Sequence, residues 1–513
     1  MNKAALKDLL GHKFVFGIQG TAVLPEELEL FKRTRARGLI LYRRNCETPS
    51  QIRELITSLE SQLGYRLLVC IDHEGGRVIM PRHGVTHFPD NYAWSQAGAS
   101  EQEIELQGKL EGEELRSLGI DVNFAPVADV ATATYNPGIL SRSYGTDPAL
   151  CAKMSAARIR GLQSAGISAT AKHYPGKGHA TVDAHLKLPV IDSTLEEMEQ
   201  THLLPFFAAI SAGTDCIMSS HPLYRNIDSS GPATFSARLI RELLRKKYGF
   251  KGITVSDALE MGAITEVAAI EHAVVRAEEA GHDLLLVCTP GQQQEQAYAA
   301  LLAHYSAMPQ LPETPTLSAA RINNLISKRN NRFAAAPAAN GISQALATKI
   351  ASGAARILQT GKTAFLPLSS SQLSARDSLI IVPRYKDISD TVMIPAEMEN
   401  MEKFMRATLH LPADSTEFVK MPISPSHNDI ADLESKLTGK KLVLLLLWDA
   451  GLSPAWAKTL EIVQTRAPLP VVVLLRDFYD ARFLKPQTCA ATAYGFRQYQ
   501  TEAALRLLFR TGA

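Results

Sequence analysis

LLVCIDHEGGR, residues 67–77, sets the reading of this chain. Five apolar residues run without a polar break into Asp72. His73, Glu74, two glycines and Arg77 follow. An unbroken apolar run of this length is how a strand buried on both faces of a parallel sheet reads. The polar cluster just past its end is what a barrel displays at the carboxyl ends of its strands. The same signature recurs outward in both directions. Strand-like runs fall at Lys13–Gln19, Gly38–Arg43, Leu67–Asp72, Asp121–Val127, Ile167–His173, Cys216–His221, Gly252–Asp257 and Asp283–Cys288. Between them, apolar residues at three- and four-residue spacing predict helices such as Pro25–Ala36, Ser50–Leu63 and Leu195–Ala212. Gly38, Gly166 and Gly281 stand where those helices should stop. Eight strand–helix units over about 330 residues predict an α/β fold, a (β/α)8 TIM-type barrel. An open doubly wound sheet is the competitor, and no GxGxxG follows the first run to favour it.

With 513 residues the chain exceeds the size of one hydrophobic core. A Pro- and Ala-rich stretch, FAAAPAAN at 333–340, breaks the barrel pattern. The expected division is a catalytic barrel at 1–332, a linker at 333–342, and a smaller α/β sandwich domain at 343–513. That second domain opens with a helix at Ser343–Leu358 and carries strands at Ser378–Val382, Leu442–Leu447 and Pro470–Leu475.

Composition excludes several function classes. Lys+Arg 54 against Asp+Glu 52 leaves a net charge of +2, and the charges alternate in sign, so no polyanion-binding surface is predicted. No apolar run approaches the length a spanning helix needs, and residues 1–10 lack the apolar stretch of a secretory signal. The six cysteines are scattered with no CxxC spacing and read as buried thiols. A cytoplasmic protein with no membrane or nucleic-acid partner is expected.

Function is sought after each strand. Asp72 and Glu74 follow the third, Arg142 lies in the loop after the fourth, and Lys172 and His173 end the fifth. Ser219, Ser220 and His221 end the sixth, and Ser256 and Asp257 end the seventh. Any one of these has a structural explanation as a helix cap or counter-ion. Their convergence on the face where barrels do chemistry points to a site. The loop after the fifth strand holds Asp183-Ala184-His185. In an extended segment residues two apart face the same way, so Asp183 is placed to accept from one ring nitrogen of His185 and leave the other for proton transfer. The rival is a metal held by His173, His179, Asp183 and His185, whose spacing matches no HExxH-like arrangement.

Taken together, IDHEGGRV (71–78), VNFAPVADV (122–130), RSYGTDP (142–148), AKHYPGKGH (171–179), DAH (183–185) and TVSDALEMGAI (254–264) resemble glycoside hydrolase family 3, within it the bacterial β-N-acetylhexosaminidases. The resemblance covers essentially the whole chain. It implies that Asp257 is a carboxylate nucleophile, that Asp183 and His185 form the proton-transfer dyad, and that Asp72, Arg142, Lys172 and His173 hold sugar hydroxyls. It also implies retention of anomeric configuration, a small carbohydrate substrate, and no metal or cofactor. Three positions depart from the pattern: Lys177 where the family often has His or Asp, Ala184 where Ser is common, and Ala258 where many members have a second Asp. Open alternatives are a β-glucosidase or xylosidase of the same family, a phosphorylase, and a catalytically silent sugar-binding protein.

Overall fold

A computed structural model describes residues 3–510, apart from 134, 185–186, 329–332, 334–339, 363–365, 375, 386–399 and 414. Most of the linker stretch, 334–339, and His185 therefore lie outside the described residues. The chain divides into two compact units. The first comprises Met1–Glu74, Ile79–Thr86 and Ser100–Asn340; the second comprises Gly75–Val78, His87–Ala99 and Gly341–Ala513.

All eight predicted strands of the first unit form: β1 (Phe14–Gly17), β2 (Gly38–Leu41), β3 (Leu68–Ile71), β4 (Val122–Asn123), β5 (Ser168–Tyr174), β6 (Cys216–Ser219), β7 (Ile253–Val255) and β8 (Leu285–Val287). They pair in parallel in the order β8-β1-β2-β3-β4-β5-β6-β7. A parallel bridge from Val255 to Leu284 brings the two ends of the order together, so the sheet closes into a barrel. Alternate residues point inward, and Val15, Ile40, Leu68, Cys70, Val122, Cys216, Met218, Val255 and Leu286 share one buried cluster. Gly38 is required where β2 starts, because a Cβ there would lie 2.6 Å from Val15 Cγ2 and 2.8 Å from Phe14 O.

The helices start and stop by local chemistry. Thr48 accepts from the Gln51 amide and Pro49 opens the helix Pro49–Leu63, which Gly64 ends at φ 72°. The predicted single helix at 195–212 is instead two, Leu195–Gln200 and Leu204–Ser211. Pro205 explains the break, since it has no amide to reach back to the Thr201 carbonyl, and Thr201 leaves helical geometry at φ −131° and ψ −84°.

The second unit contains a six-stranded sheet: β9 (Arg356–Thr360), β10 (Ser378–Pro383), β11 (Glu417–Met421), β12 (Leu442–Leu447), β13 (Leu469–Leu474) and β14 (Cys489–Thr492). The order is β9-β14-β13-β12-β10-β11, with β9 antiparallel to β14 and the other pairs parallel. The five parallel strands thus follow the flavodoxin-like order 2-1-3-4-5. The helix predicted at Ser343–Leu358 spans Asn340–Ala354 instead, and Arg356–Thr360 turns into strand. Among the described residues, no helix is long and apolar enough to cross a membrane. All six cysteines are buried thiols, as expected.

Candidate active site

The carboxyl ends of the barrel strands carry a chain of alternating charges. β3 hands on Asp72 and Glu74, and β5 supplies Lys172. The Lys172 ammonium lies 2.6 Å from Asp72 Oδ1 and 2.6 Å from Glu74 Oε1. Arg142 closes the group, donating from Nε and Nη2 to the two Glu74 oxygens at 2.7 Å each, and from Nη1 to Gly138 O at 2.6 Å. A bidentate guanidinium–carboxylate pair fixes orientation as well as charge. Glu74 is almost wholly buried, which alone would raise its pKa. Arg142 and Lys172 outweigh that, and the carboxyl is held far below the usual carboxylate range. Burial likewise works to lower the Lys172 ammonium, but Asp72 and Glu74 leave it raised. For Asp72 burial wins over Lys172, and its pKa is raised, with the Asp257 charge contributing.

His173, the next residue of β5, points its Nδ1 at Asp129 Oδ2, 2.7 Å away. The same carboxylate accepts from the Lys177 amide at 2.6 Å. Burial pushes Asp129 up to about 6, against the pull of Lys177. One buried acid therefore orients the histidine and anchors the start of the long loop after β5. That loop is pinned further along. Asn136 Nδ2 donates to Lys177 O at 2.9 Å and the Ala133 amide to Gly178 O at 3.2 Å. Gly178 sits so close to Val130 that a Cβ would fall 1.7 Å from its carbonyl oxygen.

Lys177, one of the departures from the family pattern, is buried. Its ammonium is lowered first by that burial, while Asp257, Asp129 and Asp183 favour its charge. Asp183 is half-buried beside Gly138, whose Cβ would lie 3.4 Å from Asp183 Oδ1. The next residue, Ala184, accepts from the Ala263 amide at 3.0 Å, and the Leu188 amide donates to Glu266 Oε2 at 2.9 Å. Both ends of the short stretch holding His185 are thus tied to the segment that follows β7.

Asp257 emerges at the end of β7, half-buried, with Oδ1 accepting from the Ala258 amide at 2.9 Å. The strand before it is locked on the far side, where Asp283 accepts from the Thr254 amide at 2.9 Å. Of the residues read from sequence, Asp72, Arg142, Lys172 and His173 gather with Asp257 and Asp183 in one charged neighbourhood. Four further residues complete the framework. Glu74 and Asp129 bind these side chains directly. Glu260 accepts from the amides of Cys288 and Thr289 and ties the β7 loop to β8. His221 holds the Ala258 carbonyl at 2.9 Å. Glu74 and His221 were visible as polar residues at strand ends. Nothing in the spacing of Asp129 marked it.

Among the described residues one trio of side chains converges as metal ligands do: Asp449, Asp477 and Asp480, in the second unit, with one oxygen each within 4.8 Å of one another. Asp449 is already paired with Arg476 at 2.9 Å.

A closed (β/α)8 barrel here gathers two strand-end aspartates, a buried lysine and a bidentate arginine at its carboxyl face, where barrel enzymes carry their chemistry, and comparison with known proteins places the chain among the glycoside hydrolases. Residues 10–327 match the family described as Glycosyl hydrolase family 3 N terminal domain, and the chain belongs to that family. A β-hexosaminidase of Xylella fastidiosa (strain 9a5c) is 34% identical over 281 residues, 54% of this chain and 83% of that protein. A glycoside hydrolase family 3 β-N-acetylglucosaminidase from Paenibacillus sp. str. FPU-7 superposes with a TM-score of 0.86 at 28% identity, over 98% of this chain and 96% of its own. A β-glucoside phosphorylase, at 18% identity and a TM-score of 0.79 over 99% and 93%, shares the fold.

Proposed function

We propose that the chain is a retaining, exo-acting β-N-acetylhexosaminidase that releases terminal N-acetylglucosamine, with Asp257 as nucleophile and Asp183–His185 as the proton-transfer pair. The observation that carries this reading is the tie between the loop after β5 and the segment after β7. Ala184 O and Ala263 N join the stretch bearing Asp183 and His185 to the stretch that leaves Asp257. A retaining hydrolase needs a carboxylate under the anomeric carbon and a proton donor at the leaving oxygen. An imidazole, with an ordinary pKa near 6.5, serves as acid and then as base near neutrality.

In the proposed reaction Asp72, Lys172, His173 and Arg142 hold sugar hydroxyls. Asp257 attacks C1 while His185 protonates the departing oxygen, giving a glycosyl ester. Water, deprotonated by His185, then breaks that ester and restores the anomeric configuration. The sequence relatives named β-hexosaminidase support the substrate class. Cell-wall fragments or chitooligosaccharides inside the cell are the substrates we assign, and the chemistry needs no cofactor.

The test is hydrolysis of p-nitrophenyl β-N-acetylglucosaminide by wild type, Asp257→Ala and His185→Ala. Loss of at least about a thousandfold is expected for Asp257→Ala. His185→Ala should lose less on this activated phenol than on an unactivated disaccharide, because a good leaving group needs little acid assistance. Turnover of the glucoside but not of the N-acetylglucosaminide would sink the substrate assignment. A glycosyl phosphate product in phosphate buffer would replace hydrolase by phosphorylase.

A further inference from the structure

One buried histidine at the barrel mouth has no part in the reaction above. His221 follows β6, and its Nε2 lies 2.9 Å from the Ala258 carbonyl. A carbonyl only accepts, so Nε2 carries a proton and donates it there. On the other side of the ring, Nδ1 lies 2.8 Å from Thr234 Oγ1. Thr234 is itself fully buried, and its Oγ1 also lies 2.8 Å from Ser220 O, so its single hydroxyl proton is shared between that carbonyl and Nδ1. It is brought back over the ring by the short turn Ala233–Phe235, whose first amide donates to Pro222 O at 2.9 Å. The β6 loop therefore folds onto itself to fix the plane of one imidazole.

That imidazole grips the residue next to Asp257. The Ala258 amide is already engaged by Asp257 Oδ1 at 2.9 Å, and the Leu259 amide donates to Leu286 O at 3.1 Å. Ala258 has only a methyl group, so at this residue the segment leaving Asp257 is held by main-chain bonds, and the Glu260 side chain ties it to β8 further on. His221 supplies the shorter of two bonds on the Ala258 carbonyl, 2.9 Å against 3.3 Å from the Met261 amide. We infer that His221 is a positioning residue that aims the Asp257 carboxylate by holding the Ala258 carbonyl, with Thr234 setting the orientation of the ring. The inference rests on reading Asp257 as the nucleophile.

Because displacement of a reacting group by about 1 Å can cost about a hundredfold in rate, the effect belongs in kcat. Sugar affinity depends on Asp72, Lys172 and Arg142, which His221 does not touch in any bond described above. The experiment measures kcat, KM and thermal midpoint on p-nitrophenyl β-N-acetylglucosaminide for His221→Ala, His221→Gln, Thr234→Val and the His221→Ala/Thr234→Val double variant. Expected are a kcat loss of about 10- to 100-fold in His221→Ala with KM within about threefold. His221→Gln, whose amide can still donate to Ala258 O, should recover part of that kcat. Thr234→Val should lose less than His221→Ala, and the double variant should be no worse than His221→Ala alone, since both act through one contact.

A kcat within about threefold of wild type in His221→Ala overturns the inference. So do losses that multiply in the double variant, or no recovery of kcat by glutamine at an unchanged midpoint. An Asp257→Ala control separates the two layers. If it keeps activity, the nucleophile reading fails. If it is inactive while His221→Ala is unimpaired, only the positioning role fails.

Discussion

Replacing Glu74 by glutamine tests whether the charge chain at the barrel mouth is held from within. The side chain accepts from Arg142 Nε and Nη2 at 2.7 Å each and sits 2.6 Å from the Lys172 ammonium. Glutamine keeps one acceptor and turns the other into a donor facing a guanidinium. At least one charge-assisted bond, at about 1.5–3 kcal/mol, is lost outright. The two buried cations then keep Asp72, and Arg142 also the charge of Asp129, but lose their shared partner, and breaking a buried pair of this kind costs about 3–5 kcal/mol. At about 2 °C per kcal/mol for a unit of this size, the barrel transition should fall by about 6–10 °C. KM for the aryl glycoside should rise, because Lys172 and Arg142 lose their common anchor. The pH dependence has a fixed sign. The folded pKa of Glu74 is depressed, so its contribution is complete above the ordinary carboxylate range and fades as pH falls below it. Wild type should therefore lose part of its advantage over Glu74→Gln on the acid side. Calorimetry from pH 3 to pH 8 with parallel kinetics reads all of this. A midpoint within about 1 °C of wild type and an unchanged KM would refute the argument.

Two other perturbations follow from the geometry. Gly178→Ala places a methyl group against Val130 O, which forces the loop after β5 outward. kcat/KM should drop by about tenfold or more, and activity within twofold of wild type would show that the loop accommodates it. In the second unit, burial pushes Asp477 up to about 6 and Asp480 to about 7. Folded values above the ordinary 3.8 mean that stability is present at low pH and lost as pH rises from about 4 to 7. Asp480→Asn should raise the urea midpoint at pH 8 and flatten that dependence, and an unchanged profile would dismiss the trio as its source.

The barrel was legible because its strands are buried on both faces and write themselves as unbroken apolar runs. All eight appear within a few residues of where LLVCID and its counterparts place them. In the second unit the same rule found Leu442–Leu447 but missed Glu417–Met421, an edge strand with an exposed, intermediate and buried mixture that reads as neither period. It also ran the helix at 343 past its end, because Arg356–Thr360 is a mostly exposed edge strand with little apolar signal. At the site, residues that end strands were readable from position alone. Asp129 was not, because its partners His173 and the Lys177 amide lie more than 40 residues away and only the fold brings them together. Lys177 reads as a departure from a motif, and only its burial near Asp257 gives that departure a charge consequence.

The second unit is not one continuous piece of chain. Arg497, fully buried, donates to the Gly76 carbonyl, Tyr92 stacks on Phe478 with ring centroids 4.3 Å apart, and Gly495 leaves no room for a Cβ because Asp90 Oδ2 would be 2.5 Å from it. Residues 341–513 cloned alone would lack the strands of sequence that supply Gly76, Asp90 and Tyr92, so Arg497 would lose the Gly76 carbonyl and Phe478 the stacked Tyr92 ring. Recombination at any single junction therefore splits one of the two folding units, so a chimaera that swaps this half must carry the short stretches at 75–78 and 87–99 with it.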